Sequence, residues 1–95
     1  MRVNLIFLEV EGAREAFQET KFAFDLKGKS VGDLIREVMQ SYGVKTERVF
    51  LTNGRYENNL QIILNWRKYV PPEKMNEFLL TEGDTIVFAP LLDGG

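Results

Sequence analysis

The 95-residue sequence contains no cysteine and no histidine. Without cysteine there is no disulfide, no thiolate nucleophile, and no zinc or iron–sulfur site built on thiolates. Without histidine the chain lacks the usual general base near neutral pH and the commonest transition-metal ligand. We therefore expect no metal site and no self-contained catalysis, which excludes a hydrolase triad or a zinc enzyme.

Long hydrophobic runs are also missing from the sequence. No stretch approaches the roughly 20 apolar residues that a membrane-spanning helix needs. The first residues, Met1 to Ile6, are not followed by the small-residue cleavage site of a signal peptide. We expect a single domain with one core, a cytoplasmic location and no association with membranes.

Positive charge is absent from the last part of the chain. Residues 1–74 carry all twelve Lys and Arg residues against ten acidic residues, a net of +2. Residues 75–95 carry four acidic residues and no basic one, a net of −4. Such an end would be steered toward a basic groove on a partner protein, although a solvated loop with chance acids explains it equally well. The acidic balance also argues against nucleic-acid binding.

Periodicity predicts an α+β fold with one main helix. Apolar residues recur at helical spacing between Val31 and Tyr42, after the N-cap candidate Ser30 and before Gly43, which suits a helix end. Alternating residues predict strands elsewhere. The strands are expected at Met1 to Val10, Lys21 to Leu26, Leu60 to Asn65 and Thr85 to Ala89.

The two faces of the predicted sheet differ in what covers them. The helix is expected to pack on one face, formed by Val3, Leu5, Phe7, Phe22, Phe24, Leu26, Ile62, Leu64, Ile86 and Phe88. No second long helix is predicted to cover the other face. That face would expose an apolar patch formed by Ile6, Leu8, Ile63, Val87 and Ala89. Contiguous patches of this kind usually bind a partner, although scattered surface apolar residues need no explanation.

The connections are harder to interpret. Ala13 to Glu19 reads as a polar connection, and Glu73 to Leu80 as a loop with a helical turn. Asn53-Gly54 is a turn signal. Trp66 follows the third long strand, and we expect it to be packed in the core or at its rim rather than to be an exposed anchor.

Three segments and the end of the sequence resemble the MoaD/ThiS family, small β-grasp proteins related to ubiquitin that carry sulfur. The segments are Lys29 to Ile35, Ile63 to Asn65, and Glu82 to Pro90, which leads to Gly94 and Gly95. The resemblance implies a β-grasp roll, with a mixed sheet of four to five strands and one helix packed on one face. It also implies a domain over residues 1–90 and a flexible diglycine tail over 91–95.

The resemblance further implies a function. In the family an E1-like enzyme adenylates the terminal glycine, which then becomes a thiocarboxylate and donates sulfur at a second enzyme, as in molybdopterin biosynthesis. Here Gly95 would be the activated residue, with Gly94 beside it. The chain would be a carrier or the small subunit of a synthase, not an enzyme. It would bind no cofactor, its partners being the E1-like enzyme, which uses ATP, and a sulfur-accepting synthase subunit.

The chemistry of the tail supports the same interpretation. An α-carboxylate reacts only after activation inside a narrow site, and glycines pass through a narrow channel because they lack Cβ. Five residues after Pro90 extend at most about 17 Å. Leu91, Leu92 and Asp93 would then bind in the channel of the activating enzyme.

Alternatives remain open at this stage. The chain could be a modifier joined through Gly95 to lysines of target proteins, or a plain β-grasp interaction module with an incidental tail.

Two residues depart from the family pattern: Asp93 stands where small or neutral residues are more familiar, and Trp66 where glycine is usual. Because tryptophan is unsuited to positive φ, the turn at Trp66 is expected to be of another type. Gly28-Lys29-Ser30 imitates the end of a P-loop but lacks its first glycine.

Overall fold

The computed structural model describes residues 1–52, 55–56 and 60–90. Seven strands, three α-helices and two 3₁₀ helices make up this part of the chain. The strands are β1 (Arg2–Phe7), β2 (Lys21–Asp25), β3 (Leu51–Thr52), β4 (Arg55–Tyr56), β5 (Leu60–Leu64), β6 (Lys68–Tyr69) and β7 (Thr85–Pro90). The helices are α1 (Ala13–Phe17), α2 (Val31–Tyr42) and α3 (Glu47–Phe50), with 3₁₀ helices at Val44–Thr46 and Pro72–Glu77.

Five of the strands form one mixed sheet in the order β2-β1-β7-β5-β6. The first and last strands, β1 and β7, are parallel neighbours at its centre, and the other pairs are antiparallel. β3 and β4 form a separate two-stranded ribbon. The predicted mixed sheet with one main helix is confirmed.

Helix α2 begins and ends where the sequence places it. The Ser30 hydroxyl accepts a hydrogen bond from the Asp33 N–H at 3.0 Å, and the Asp33 carboxylate accepts one from the Ser30 N–H at 3.1 Å. This reciprocal pair is a capping box, which satisfies donors that the first helical turn leaves open. At the other end the N–H of Gly43, with φ of 84°, donates to the Met39 carbonyl.

The core lies between α2 and one face of the sheet. Helix residues Val31, Leu34, Ile35 and Val38 are buried in the same cluster as the predicted inner-face residues of the strands. Of those ten strand residues, seven are buried and the other three, Phe22, Phe24 and Leu64, pack partly buried against the cluster. The predicted division of the sheet into a covered face and an opposite face therefore matches the structure.

Two connections differ from the expectation. Residues 13–17, expected as a polar connection, form helix α1, and its Phe17 is 5% exposed. The Phe17 ring stacks on Phe7 at 4.8 Å between centroids and meets the edge of Tyr42 at 4.9 Å. Phe17 and Ala13, both buried in the core cluster, anchor this segment to the core. The turn signal Asn53-Gly54 lies outside the described residues.

Candidate partner-binding face

One row of side chains crosses the face of the sheet opposite α2. The strand registers pair Lys21 with Ile6, Ile6 with Val87, Val87 with Ile63, and Ile63 with Tyr69. Residues directly opposite each other on neighbouring strands point to the same face. The row therefore places three aliphatic side chains at its centre, a lysine at one edge and a tyrosine at the other.

The expectation that Val87 is exposed is wrong. Its side chain has 0% exposure, although it lies outside the main core cluster. Val87 belongs to the central strand, so Ile6 and Ile63 flank it on both sides and are themselves only half-buried. Val87 cannot contact a partner directly, and its part in this face is to support the two isoleucines.

The part of this face nearest Pro90 contains the other predicted residues. Leu8 is 41% exposed, and its N–H donates to the Phe88 carbonyl at 2.8 Å, which holds it alongside β7. Ala89, half-buried, pairs with Gln61. The Gln61 side-chain amide donates to the Pro90 carbonyl at 3.2 Å. The last described residue is thus held in the sheet, beside exposed apolar surface.

The opposite end of β7 is fixed by Asn65. Its side-chain oxygen accepts from the Thr85 N–H at 2.8 Å, and its amide group donates to Asp84 at 3.1 Å. Partial burial, the largest influence, raises the pKa of Asp84, but hydrogen bonds from Thr81 and Asn65 outweigh it and lower the pKa below its usual value. The ionised carboxylate thus joins the turn at residues 81–84 to Asn65, in the turn after β5.

The turn after β5 presents an aromatic residue that the sequence did not predict to be exposed. The Arg67 N–H donates to the Leu64 carbonyl at 3.1 Å, and both central residues have positive φ, 54° at Asn65 and 62° at Trp66. This is the φ pattern of a type I′ turn, so the expectation of another turn type is wrong. Trp66 is 58% exposed, so its expected burial is wrong as well. Asn65, which precedes Trp66 and tolerates positive φ, was the feature of the sequence that could have predicted this turn type.

The segment that imitates a P-loop has no free backbone donors for a phosphate. The N–H groups of Lys27 and Gly28 donate to the Glu37 carboxylate at 2.8 and 2.7 Å. Those of Lys29 and Ser30 donate to Asp33. Carboxylates thus occupy the positions that phosphate oxygens take in a P-loop, which argues against nucleotide binding here.

Neither a metal site nor a membrane span is found in residues 1–52, 55–56 and 60–90. No three acidic side chains converge there in a way that would hold a metal ion. No helix in the same residues is both long and apolar enough to cross a membrane.

The structure does not test the predicted tail. Leu91, Leu92, Asp93, Gly94 and Gly95 lie outside the described residues, so their roles stay predictions. The same holds for the predicted boundary between a domain over residues 1–90 and a tail over residues 91–95.

Comparison with known proteins gives matches among solved structures. No protein-family model and no curated protein matches the sequence. Small archaeal modifier protein 1 (SAMP1) from Haloferax volcanii has a TM-score of 0.72 at 18% identity, with 100% of both chains covered. The chain has the β-grasp fold. The likeness spans the described domain from end to end.

Two further matches support this assignment. A putative molybdopterin converting factor, subunit 1, from Pyrococcus furiosus matches the β-grasp domain with a TM-score of 0.67 and 20% identity, covering 97% of this chain and 99% of the other. A chain of the BexX/CysO complex from Amycolatopsis orientalis matches with a TM-score of 0.69 and 19% identity, covering 98% and 99%. The resemblance to MoaD/ThiS proteins is thereby confirmed at the level of the β-grasp fold.

Proposed function

We propose that this β-grasp protein is a sulfur carrier whose C-terminal Gly95 is adenylated by an E1-like enzyme and converted to a thiocarboxylate. The observation that carries the proposal is the position of Pro90. It ends the central strand of a β-grasp sheet and is followed by five residues that finish in Gly94-Gly95. The proposal takes Gly95 as the carboxyl terminus of the mature protein, which an intact-mass measurement checks.

The chemistry needs two steps at a partner. The Gly95 carboxylate attacks the α-phosphate of ATP, which forms an acyl-adenylate and releases pyrophosphate. A sulfur donor then displaces AMP and leaves a thiocarboxylate, which a sulfur-accepting synthase subunit consumes. The chain contributes the carboxylate and the docking surface, and the partner contributes ATP and the catalytic groups, so the chain itself is a cosubstrate.

The face of the sheet opposite α2, called the outer face from here on, supports the role of the chain as a docking partner. Ile6, Leu8, Ile63 and Ala89 keep part of their apolar surface accessible on the same sheet that holds Pro90. A partner that covers this face would bring its own cleft next to the start of the tail. Leu91, Leu92 and Asp93 would enter that cleft first, and the diglycine would reach its end.

Molybdopterin biosynthesis is the pathway we propose for the sulfur. The support is the match to a protein named as a molybdopterin converting factor subunit, together with the MoaD-like segments of the sequence. The chain would then act in the cytoplasm as the small subunit of a synthase complex.

A second candidate function is protein modification, in which Gly95 joins lysines of target proteins. The match to a protein named as a small archaeal modifier favours it. Both functions require the same adenylation, so they differ only in what displaces AMP. Intact-mass analysis of the protein from native cells separates them: one oxygen replaced by sulfur supports the carrier, and adducts on other proteins support the modifier.

Deletion of Gly95 tests both functions against a plain interaction module. We expect the variant to lose adenylation completely while its thermal stability stays unchanged, because glycine has no side chain to bury. Val44→Ala is a matched control at a residue that is 75% exposed, and it should react like the wild type. Full activity after deletion of Gly95 would show that the tail is incidental.

A further inference from the structure

Among the described strands, β2 forms one edge of the five-stranded sheet and has no neighbour on its outer side. The Leu26 N–H donates to the Met1 carbonyl and the Phe7 N–H to the Thr20 carbonyl, each at 2.7 Å. Hydrogen-bonded positions alternate along an antiparallel strand, so the residues between them direct their backbone groups away from β1. Those residues are Lys21, Ala23 and Asp25, and no described residue pairs with their backbone N–H or carbonyl groups.

The charges on this edge are arranged symmetrically about Ala23. Lys21 lies two residues before it and Asp25 two residues after it, and both are exposed. If a second copy lies antiparallel to β2 and is centred on Ala23, each Lys21 stands directly opposite the other copy's Asp25. Opposite charges at such positions attract, whereas an edge with one sign of charge repels its copy.

The aromatic residues of β2 fit the same arrangement. Phe22 and Phe24 alternate with the charged positions, face the helix side of the sheet and are only half-buried. In the antiparallel pairing each Phe22 stands opposite the other copy's Phe24, so surface that is exposed in one chain becomes covered. The ion pair between Arg2 and Asp25 within one chain leaves Asp25 accessible to the second copy. The two charged groups are 3.8 Å apart, and their side chains are 66% and 82% exposed.

We propose that two copies of this chain associate through β2, with Ala23 at the two-fold axis, to form one continuous ten-stranded sheet. The interface is isologous, because every contact occurs twice. Ala23 pairs with its own copy, and Lys21 pairs with Asp25 in both directions. The central strand β7 lies two strands away, so the proposal is independent of the proposed function.

Sedimentation equilibrium of the full chain tests the association. We expect the apparent mass to rise from 11.0 kDa toward twice that value as the concentration increases from about 10 μM to about 1 mM, a range that spans the dissociation constants of a weak association. In the same range the Ala23 amide should become protected from hydrogen exchange. A constant mass of 11.0 kDa throughout would overturn the proposal.

A charge exchange identifies the surface. Lys21→Asp and Asp25→Lys should each weaken association roughly tenfold, because each puts like charges opposite one another twice. The double variant should restore it. Lys45→Asp makes the same charge change at an exposed residue away from β2 and should associate like the wild type. If the double variant stays as weak as the single ones, the contact lies elsewhere and the proposal fails.

Ala23→Pro provides a second test that spares the fold. The N–H that proline removes faces out of the sheet, where edge strands tolerate proline. We expect a folded monomer at every concentration, with the fold checked by circular dichroism. Association of this variant at the wild-type level would also contradict the proposal.

Discussion

Trp66 is held in a left-handed backbone conformation at the surface, with φ of 62° and 58% of its side chain exposed. An L-residue in this region costs roughly 1–2 kcal/mol, because Cβ approaches the following carbonyl oxygen. The turn keeps this conformation because Asn65 binds both Asp84 and Thr85. The surrounding hydrogen bonds therefore decide the conformation of Trp66, against its own preference.

Trp66→Gly should consequently stabilise the protein. Glycine relieves the strain at positive φ, and its greater freedom in the unfolded chain offsets part of the gain, which leaves about 0.5–1 kcal/mol in the free energy of unfolding. Urea unfolding measures the effect. Trp66→Ala is the control, because it removes the same ring but keeps the strain. Equal stability of the two variants would mean that the ring, not the backbone, sets the energy of the turn.

At the scale of elements, the segment before α2 depends on two carboxylates. Glu37 accepts from two backbone N–H groups, and Asp33 accepts from two more and from Arg36. Gly28 is needed because a Cβ there would lie 2.5 Å from that of Asp33. Hydrogen bonds from Lys29, Ser30 and Arg36 lower the pKa of Asp33 well below its ordinary value of 3.8. The folded protein thus favours the ionised form.

This shift predicts how the stability depends on pH. A carboxyl whose pKa is lower in the folded state stabilises the protein above its unfolded pKa and loses that contribution as the pH falls below it. Asp33→Asn should therefore be less stable than the wild type at pH 7. The difference should shrink as the pH falls below 3.8. Urea unfolding at several pH values measures it, and a difference that stays constant down to the acid limit would refute the assignment.

At the scale of the whole molecule, the two apolar faces of the sheet differ in how far their residues are buried. Helix α2 packs on the inner face, whereas on the outer face Val87 is buried between Ile6 and Ile63, which are half-buried. The effect of a substitution on the outer face should therefore depend on how buried the substituted residue is. Exposed positions affect partner binding, and the buried central position affects folding.

Leu8→Asp and Val87→Asp test this separation. Leu8 is 41% exposed, so its substitution should change the free energy of unfolding by less than about 0.5 kcal/mol. It should nevertheless raise the concentration of the chain needed for half-maximal ATP–pyrophosphate exchange by the activating enzyme. Val87→Asp buries an unpaired charge and should cost more than about 3 kcal/mol. Comparable losses of stability in both variants would show that the outer face is not accessible at Leu8.

Local patterns in the sequence were enough to predict much of the fold. Alternation with a period of two assigns side chains to faces without any knowledge of neighbouring strands, which is why the inner-face residues from Val3 to Phe88 were correct. The capping residues and the helical stripe likewise located α2, since both act within a few residues of the chain. The predicted outer face also contains Ile6, Leu8, Ile63 and Ala89 as expected.

Only the tertiary structure decided the features that depend on residues far apart in the chain. Val87 is buried because β7 lies between β1 and β5, an order that alternation within one strand does not specify. Trp66 is exposed at positive φ because Asn65 is bound to residues about twenty positions away. The position of β2 at the edge of the described sheet follows from the same strand order. Periodicity acts locally and sets the faces, whereas burial and strand neighbours arise from contacts that form only when the whole sheet assembles.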